Sequence, residues 1–374
     1  MDARSVFIGV LLVALASPGW SQAAPDEKSF AAPLDKFGDG DNSASAGSAS
    51  AEGSQAPLYY NMNPSIYAEI DAVFLTRTAG YPDRTLLINA DTQESLVSSS
   101  DLGFGFSPGV RALFGFRLWE GRSVEFGYLG LTDSRASTDF VQPNQNVDVT
   151  LPGSLGIASN VFHSDVRAHI DYLSRLQGAE VNFPFFSSSA CSSACSDGCP
   201  DCGPATSLDW FVGFRYISLR EDLRISGART VGTLDETGYY DTSSRNDLFG
   251  AQLGGRIRRF RGKLGWEVTG KAGVFGNSAG QEQVFVDYPN FLLRPTTGDN
   301  GGNAAFVGEL DLTGIYQLNR TWGLRLGYSL LWIGGVALAP NQTDFTFNST
   351  SGAALNTGGG LLLHGVNVGL EARW

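Results

Sequence analysis

The sequence predicts an all-β protein, an antiparallel up-and-down transmembrane β-barrel of about 12 strands with short periplasmic turns and long outer loops. Three observations carry this expectation. Extended segments alternate apolar and polar residues with the period of a strand whose two faces meet different solvents. No apolar run after the N-terminal one is long enough to cross a bilayer as a helix, so any membrane crossing must use strands closed on themselves. The connections between segments alternate between short polar turns and long irregular stretches, the asymmetry of bacterial barrels.

Ile66, Ala68, Ile70, Ala72 and Phe74 oppose Tyr67, Glu69 and Asp71, and Val110, Ala112, Phe114, Phe116 and Leu118 oppose Arg111 and Arg117. Val124, Phe126 and Tyr128 oppose Glu125; Trp210, Val212, Phe214 and Tyr216 oppose Asp209 and Arg215. Trp266, Val268 and Val274 oppose Glu267 and Lys271, and Phe306, Leu310, Leu312 and Tyr316 oppose Glu309 and Asp311. Trp322, Leu324, Leu326 and Tyr328 oppose Arg325, and Val366, Val368 and Leu370 oppose Asn367, Glu371 and Arg373. In Val161 to Tyr172 the same reading sends Phe162, Val166, Ala168, Ile170 and Tyr172 to lipid, and His163, Asp165, Arg167, His169 and Asp171 to the lumen. Weaker candidates lie at 179–185, 223–234 and 247–259.

Short turns are expected at Glu120-Gly121-Arg122, Ser174-Arg175, Glu221-Asp222, Arg261-Gly262-Lys263 and Asn319-Arg320. Long outer stretches are expected at 78–108, 133–160, 277–303 and 334–360.

The N-terminal apolar run, Val6 to Ala16, is too short for a spanning helix and is followed by small residues at Ser21 and Ala23. Residues 1–23 therefore read as a secretory signal peptide. No cysteine stands beside the cut, which argues against a lipoprotein. Residues 24–57 are dominated by Ala, Ser, Gly and Asp, a composition that buries too little surface to order itself, and read as a disordered periplasmic leader. Residues 58–374 are the expected barrel.

The 374 residues carry a formal net charge of -12, which argues against a nucleic-acid partner, because neutralising phosphates needs clustered Lys and Arg. Four cysteines crowd into Cys191, Cys195, Cys199 and Cys202. Such spacing suits zinc or disulfides. Placed in an outer loop in an oxidising compartment, they are expected to form two disulfides whose connectivity the sequence leaves open, and no metal or other cofactor is expected. His163, His169 and His364 are the three histidines, and His163-Ser164-Asp165 invites a hydrolase reading. Neighbouring strand residues face opposite ways, so Ser164 cannot serve His163 and Asp165 as nucleophile; pore-lining imidazoles are expected, not an enzyme.

Function is expected in the lumen. Its predicted lining is Arg111, Arg117, Glu125, Asp165, Arg167, Arg215, Glu267, Lys271, Glu309, Asp311, Arg325 and Glu371, joined by Glu69, Asp71, Asp171 and Arg256. Charges segregated on facing walls around water would orient solutes in passage; charges interlocked as pairs would plug the bore. A long loop such as 277–303 folding inward is a further constriction. The reading is a channel of the cell outer membrane passing small hydrophilic solutes by diffusion. The alternatives are a closed structural or adhesive barrel acting through its outer loops, and an outer-membrane hydrolase at the barrel rim. Trp and Tyr near strand ends suit interfacial girdles in contact with outer-membrane lipid. The ending Val366-Asn367-Val368-Gly369-Leu370-Glu371-Ala372-Arg373-Trp374 has the form of a C-terminal strand handed to the barrel-assembly machinery, with Trp374 as the signal.

Several stretches together resemble the putative β-barrel porin-7 family of planctomycete-type bacteria: Tyr67 to Leu75, Gly213 to Glu221, Asn246 to Gly255, Gly265 to Gly273, Leu331 to Pro340 and Leu363 to Trp374. The resemblance implies an outer-membrane barrel with a channel role and supplies no catalytic residues or substrate. The cysteine-rich insertion departs from it.

Overall fold

The computed structural model describes residues 64–78, 80, 82–118, 122–141, 149–162, 167–190, 205–289 and 291–374. The signal peptide and leader lie outside them, as do the four cysteines, His163, Asp165 and Trp119. Fourteen strands and two short helices are described: β1 Ile66–Arg77, β2 Thr85–Asn89, β3 Ser95–Ser98, β4 Ser107–Arg117, β5 Ser123–Leu131, β6 Ser134–Phe140, β7 Val149–Thr150, α1 Gly153–Ala158, β8 Arg167–Ala190, β9 Ala205–Val231, β10 Leu234–Arg261, β11 Leu264–Asp287, β12 Phe291–Gln317, β13 Trp322–Val336, α2 Ala339–Gln342 and β14 Gly359–Arg373.

Eleven of the strands pair antiparallel in the order β5-β4-β1-β14-β13-β12-β11-β10-β9-β8-β6, and β5 also pairs with β8, which closes the ring. β5 and β6 lie one after the other along β8, on Gln177 to Asn182 and on Ala168 to Ser174, so they act as one interrupted stave. The remaining three strands form a small sheet, β3-β2-β7. Closure matters energetically, because it leaves no unpaired strand edge to be desolvated in lipid.

The short turns at 261–263 and 319–320 are present, and the expected turn at Glu120-Gly121-Arg122 falls largely outside the described residues. Gly262 (φ 59°) opens the two-residue β10–β11 turn and Gly232 (φ 66°) the β9–β10 turn, conformations that hairpins of this length require. Ser174-Arg175 and Glu221-Asp222 are not turns; they lie inside β8 and β9, where Ser174 is the direct partner of Glu221. The stretch 277–303 is not a loop either, but the upper halves of β11 and β12, paired from Asn277↔Asn303 to Gln283↔Thr297.

The reason is an inversion of polarity along the long strands. On β9 the outward residues Trp210, Val212, Phe214 and Tyr216 are apolar, then Ser218, Arg220, Asp222 and Arg224 are polar, with the period unbroken. On β10 the outward residues from Phe249 to Ile257 form an apolar band, about 20 Å of height for a strand tilted about 45°. Above it Asp241, Ser243, Arg245 and Asp247 face water. The strands therefore continue beyond the membrane as a water-bathed collar, and inside the collar the walls turn apolar.

This inversion corrects the phase expected for residues 161–172. Ala168, Ile170 and Tyr172 are buried inside the collar, while Arg167 and His169 are exposed on its outer wall. There His169 Nδ1 stands 2.7 Å from Asp139, and Arg135 lies 3.4 Å from Asp171.

Candidate functional site: the filled bore

The bore is built by the inward residues of β1, read upward as Glu69, Asp71, Val73, Leu75 and Arg77, and by the matching positions on the other staves. Three layers follow from that order.

The lowest layer is ionic. Arg258 on β10 donates through Nε to Glu267 at 2.6 Å and reaches Glu69 on β1 at 3.2 Å. Arg325 on β13 is shared by Glu371 (3.0 Å), Glu69 (3.2 Å), Glu267 (3.3 Å) and Asp71 (3.3 Å). Arg256 binds Glu125 with both terminal nitrogens, at 2.8 and 3.2 Å, and the Tyr67 hydroxyl donates to the same carboxylate. Higher in the layer, Arg215 donates to Glu309 at 2.6 Å, Lys271 to Glu180 at 2.6 Å and to Glu309 at 3.3 Å, and Arg111 to Asp311. Gln252 closes the set with hydrogen bonds to Glu180 (2.9 Å) and Asn182 (2.7 Å). A cavity of about 50 Å³ among these side chains has room for a few waters at most.

Above it lies an apolar layer drawn from most of the staves, including Val73, Leu75, Leu129, Leu176, Ile217, Leu248, Phe275, Val307, Leu331, Ile333 and Leu363, all buried. Its floor is charged and its walls are closed, so water gains nothing by entering.

The third layer seals the collar. The β13–β14 connection turns inward, with all four residues of α2 buried. Asn246 grips it with a donated bond to the Ala337 carbonyl (2.8 Å) and an accepted one from the Ala337 amide (2.7 Å). The Ala339 amide donates to Glu221 at 2.9 Å, and Glu221 also pairs with Arg77 and accepts from Tyr172 at 2.7 Å. Over this, Leu86 and Leu87 of β2, Leu155 of α1, Phe162, Tyr172, Tyr240 and Phe285 form one buried cluster. The inward-folding loop is thus 337–358 and not the expected 277–303.

Of the residues singled out from the sequence, Arg111, Glu125, Arg215, Glu267, Lys271, Glu309, Asp311, Arg325 and Glu371 all meet in the ionic layer, with Glu69, Asp71 and Arg256. Arg117 does not join them; it is exposed where β4 ends. Arg167 stands outside the collar, and Asp165 lies outside the described residues. His364 is not in the bore either, since it faces outward against the Tyr328 hydroxyl at 2.7 Å. Sequence reasoning missed Arg258 and Glu180, although each follows at a spacing of two from a neighbouring inward residue, Arg256 and Asn182. Of the two uses open to the lumen charges, interlocked pairing is the one adopted.

Trp374 is half exposed at the turn end, edge-on to Trp322 with ring centres 6.4 Å apart. β8 ends and β9 begins at that same end, where β4–β5 and β10–β11 turn. The four cysteines, expected in an outer loop, lie outside the described residues.

Among solved structures, the chain is similar to the outer membrane protease OmpT from Escherichia coli, at 8% identity over 84% of this chain and 98% of that one, with TM-score 0.42. It is also similar to the Pseudomonas putida toluene transporter TodX (10%, 84% and 91%, TM-score 0.23) and an anion-selective porin from Comamonas acidovorans (10%, 83% and 99%, TM-score 0.13). No curated protein sequence matches. A family model described as Putative beta barrel porin-7 matches residues 167–374, the span that carries most of the cation and carboxylate positions of the bore, from Glu180 to Arg373. With the closed ring, the apolar outer band and that match over more than half its length, the chain belongs to the Putative beta barrel porin-7 family of outer-membrane barrels.

Proposed function

We propose that the protein is a closed outer-membrane barrel that works through its outer cap rather than through its bore. One observation carries the reading: the ionic layer, the apolar layer and the inward loop are stacked across the same lumen. A hydrated solute would have to break buried ion pairs and then cross a dry layer, and both steps are costly. The collar holds up a cap made from β2, β3, β7, α1 and the 337–358 loop. On it Ile157 is 78% and Phe347 is 48% exposed, and the two segments are joined by the Phe347 amide donating to Ser154. Apolar side chains presented this way suit contact with another envelope or extracellular component. Catalysis is no part of this reading. β14 and the Trp374 that follows it are the segment proposed for hand-over to the barrel-assembly machinery.

The family description favours a second reading, passive diffusion of small hydrophilic solutes. It requires the 337–358 loop to leave and the ion pairs to part. Liposome swelling separates the two. Vesicles carrying the folded full chain should hold their volume in small sugars, and swelling at a rate that rises with protein content would overturn the closed-barrel reading in favour of diffusion.

A further inference from the structure

On the outer wall of the collar, the register sets three arginines side by side. Arg175 on β8 is the direct partner of Arg220 on β9, and Arg220 is the direct partner of Arg245 on β10. All three face outward and are exposed. Like charges placed directly opposite in a sheet repel, so such a row is unfavourable unless anions compensate it. Compensation within the chain is uneven. Arg175 binds Asp133 with two hydrogen bonds, at 2.7 and 3.1 Å, and Arg245 stands 3.6 Å from Asp247. Arg220, the middle one, makes no ion pair or hydrogen bond with any described residue. Arg224, one outward position further up than Asp222, is by contrast bound twice by Asp241, at 2.7 and 2.6 Å.

Height makes the row informative. The apolar band ends at Tyr216 and Phe249, whose rings lie 4.7 Å apart, with the Tyr216 hydroxyl on Asp247. Arg220 is four residues above Tyr216, about 10 Å higher on a tilted strand. That is the headgroup zone, and an arginine lying down the wall reaches its phosphates. Immediately above the row, Asp222, Ser243 and Glu282 line a groove of about 410 Å³. It therefore offers a guanidinium below and hydrogen-bond acceptors above.

We propose that the Arg175–Arg220–Arg245 row binds the phosphate of an anionic lipid headgroup from the outer leaflet, with Arg220 as its main ligand. The carboxylates of the groove accept hydrogen bonds from hydroxyl substituents of that headgroup. Planar guanidinium suits two-point binding of phosphate oxygens. The inference rests on the depth of the collar in the membrane and is independent of whether the bore conducts.

The full chain in mild detergent is titrated with phosphatidylglycerol, and retained lipid is read by native mass spectrometry, with phosphatidylcholine and inorganic phosphate as comparisons. Phosphatidylglycerol should be retained about tenfold over phosphatidylcholine, and Arg220→Gln should abolish that preference, the loss of one charge-assisted contact. Arg245→Gln should weaken it in the same direction, and Arg135→Gln, higher on the collar, should leave it intact. Heat-modifiable migration of each variant checks folding. Undiminished preference in folded Arg220→Gln or Arg245→Gln would overturn the proposal. So would displacement of the lipid by millimolar inorganic phosphate, which would make the row a free-anion site.

Discussion

Arg258 and Glu69 stand on β10 and β1, five staves apart whichever way the ring is followed, yet their side chains meet at 3.2 Å. A contact across the full width of a barrel divides the bore at that level. Glu267 and Glu371 share the same guanidinium, so Arg258 is the counterion for three buried carboxylates. Removing it leaves all three to share Arg325. Arg258→Met should lower the unfolding free energy by about 3–5 kcal/mol, read from denaturant titration of heat-modifiable migration. Adding Glu267→Gln should restore part of the loss, because one of the uncompensated charges goes with it.

The polarity inversion on β9 makes a positional prediction. Phe214 is 68% exposed within the apolar band, whereas Ser226, on the same outward face, lies high on the collar. Phe214→Arg should cost about 2–4 kcal/mol, the depth-dependent cost of a cation against lipid. Ser226→Arg should stay within about 0.5 kcal/mol of the wild type in the same titration, as water-facing substitutions do. Equal costs at the two positions would mean that the band does not mark the bilayer.

The inward loop should be acid-sensitive. At Asp344, burial raises the carboxyl pKa, but hydrogen bonds from the Thr346 hydroxyl and from the Gly352 and Thr346 amides outweigh it and hold the group below its ordinary value. A depressed pKa means that this contribution is complete above the unfolded value of about 3.9 and is lost as pH falls through the folded one. Protease cleavage within 344–352 should therefore be suppressed at neutral pH and appear only below about pH 4. Asp344→Asn should be cleaved there at neutral pH.

Much of this was legible in the sequence wherever both solvents keep their places. In β1, β4, β13 and β14, lipid lies outside and charge inside, and alternation reads directly. It failed where the sign reversed without a change of period. Ser174-Arg175 and Glu221-Asp222 look like turns because polar residues follow one another, but in the collar one of each pair faces water and the other supports the inward loop. In the upper halves of β11 and β12, both faces carry Gly, Asn, Gln or Ser, so no apolar stripe marks the strand. Ion pairing could not be read at all, since partners such as Arg111 and Asp311 lie 200 positions apart and meet only through ring closure.

Single-channel recording in planar bilayers tests the filled bore most directly. The refolded wild-type chain, inserted with verified heat-modifiable folding, should hold a flat baseline across the applied voltage range. Regular, ohmic current steps that recur with each insertion would show instead that ions pass where Arg258 meets Glu69, and the closed-barrel account would fail.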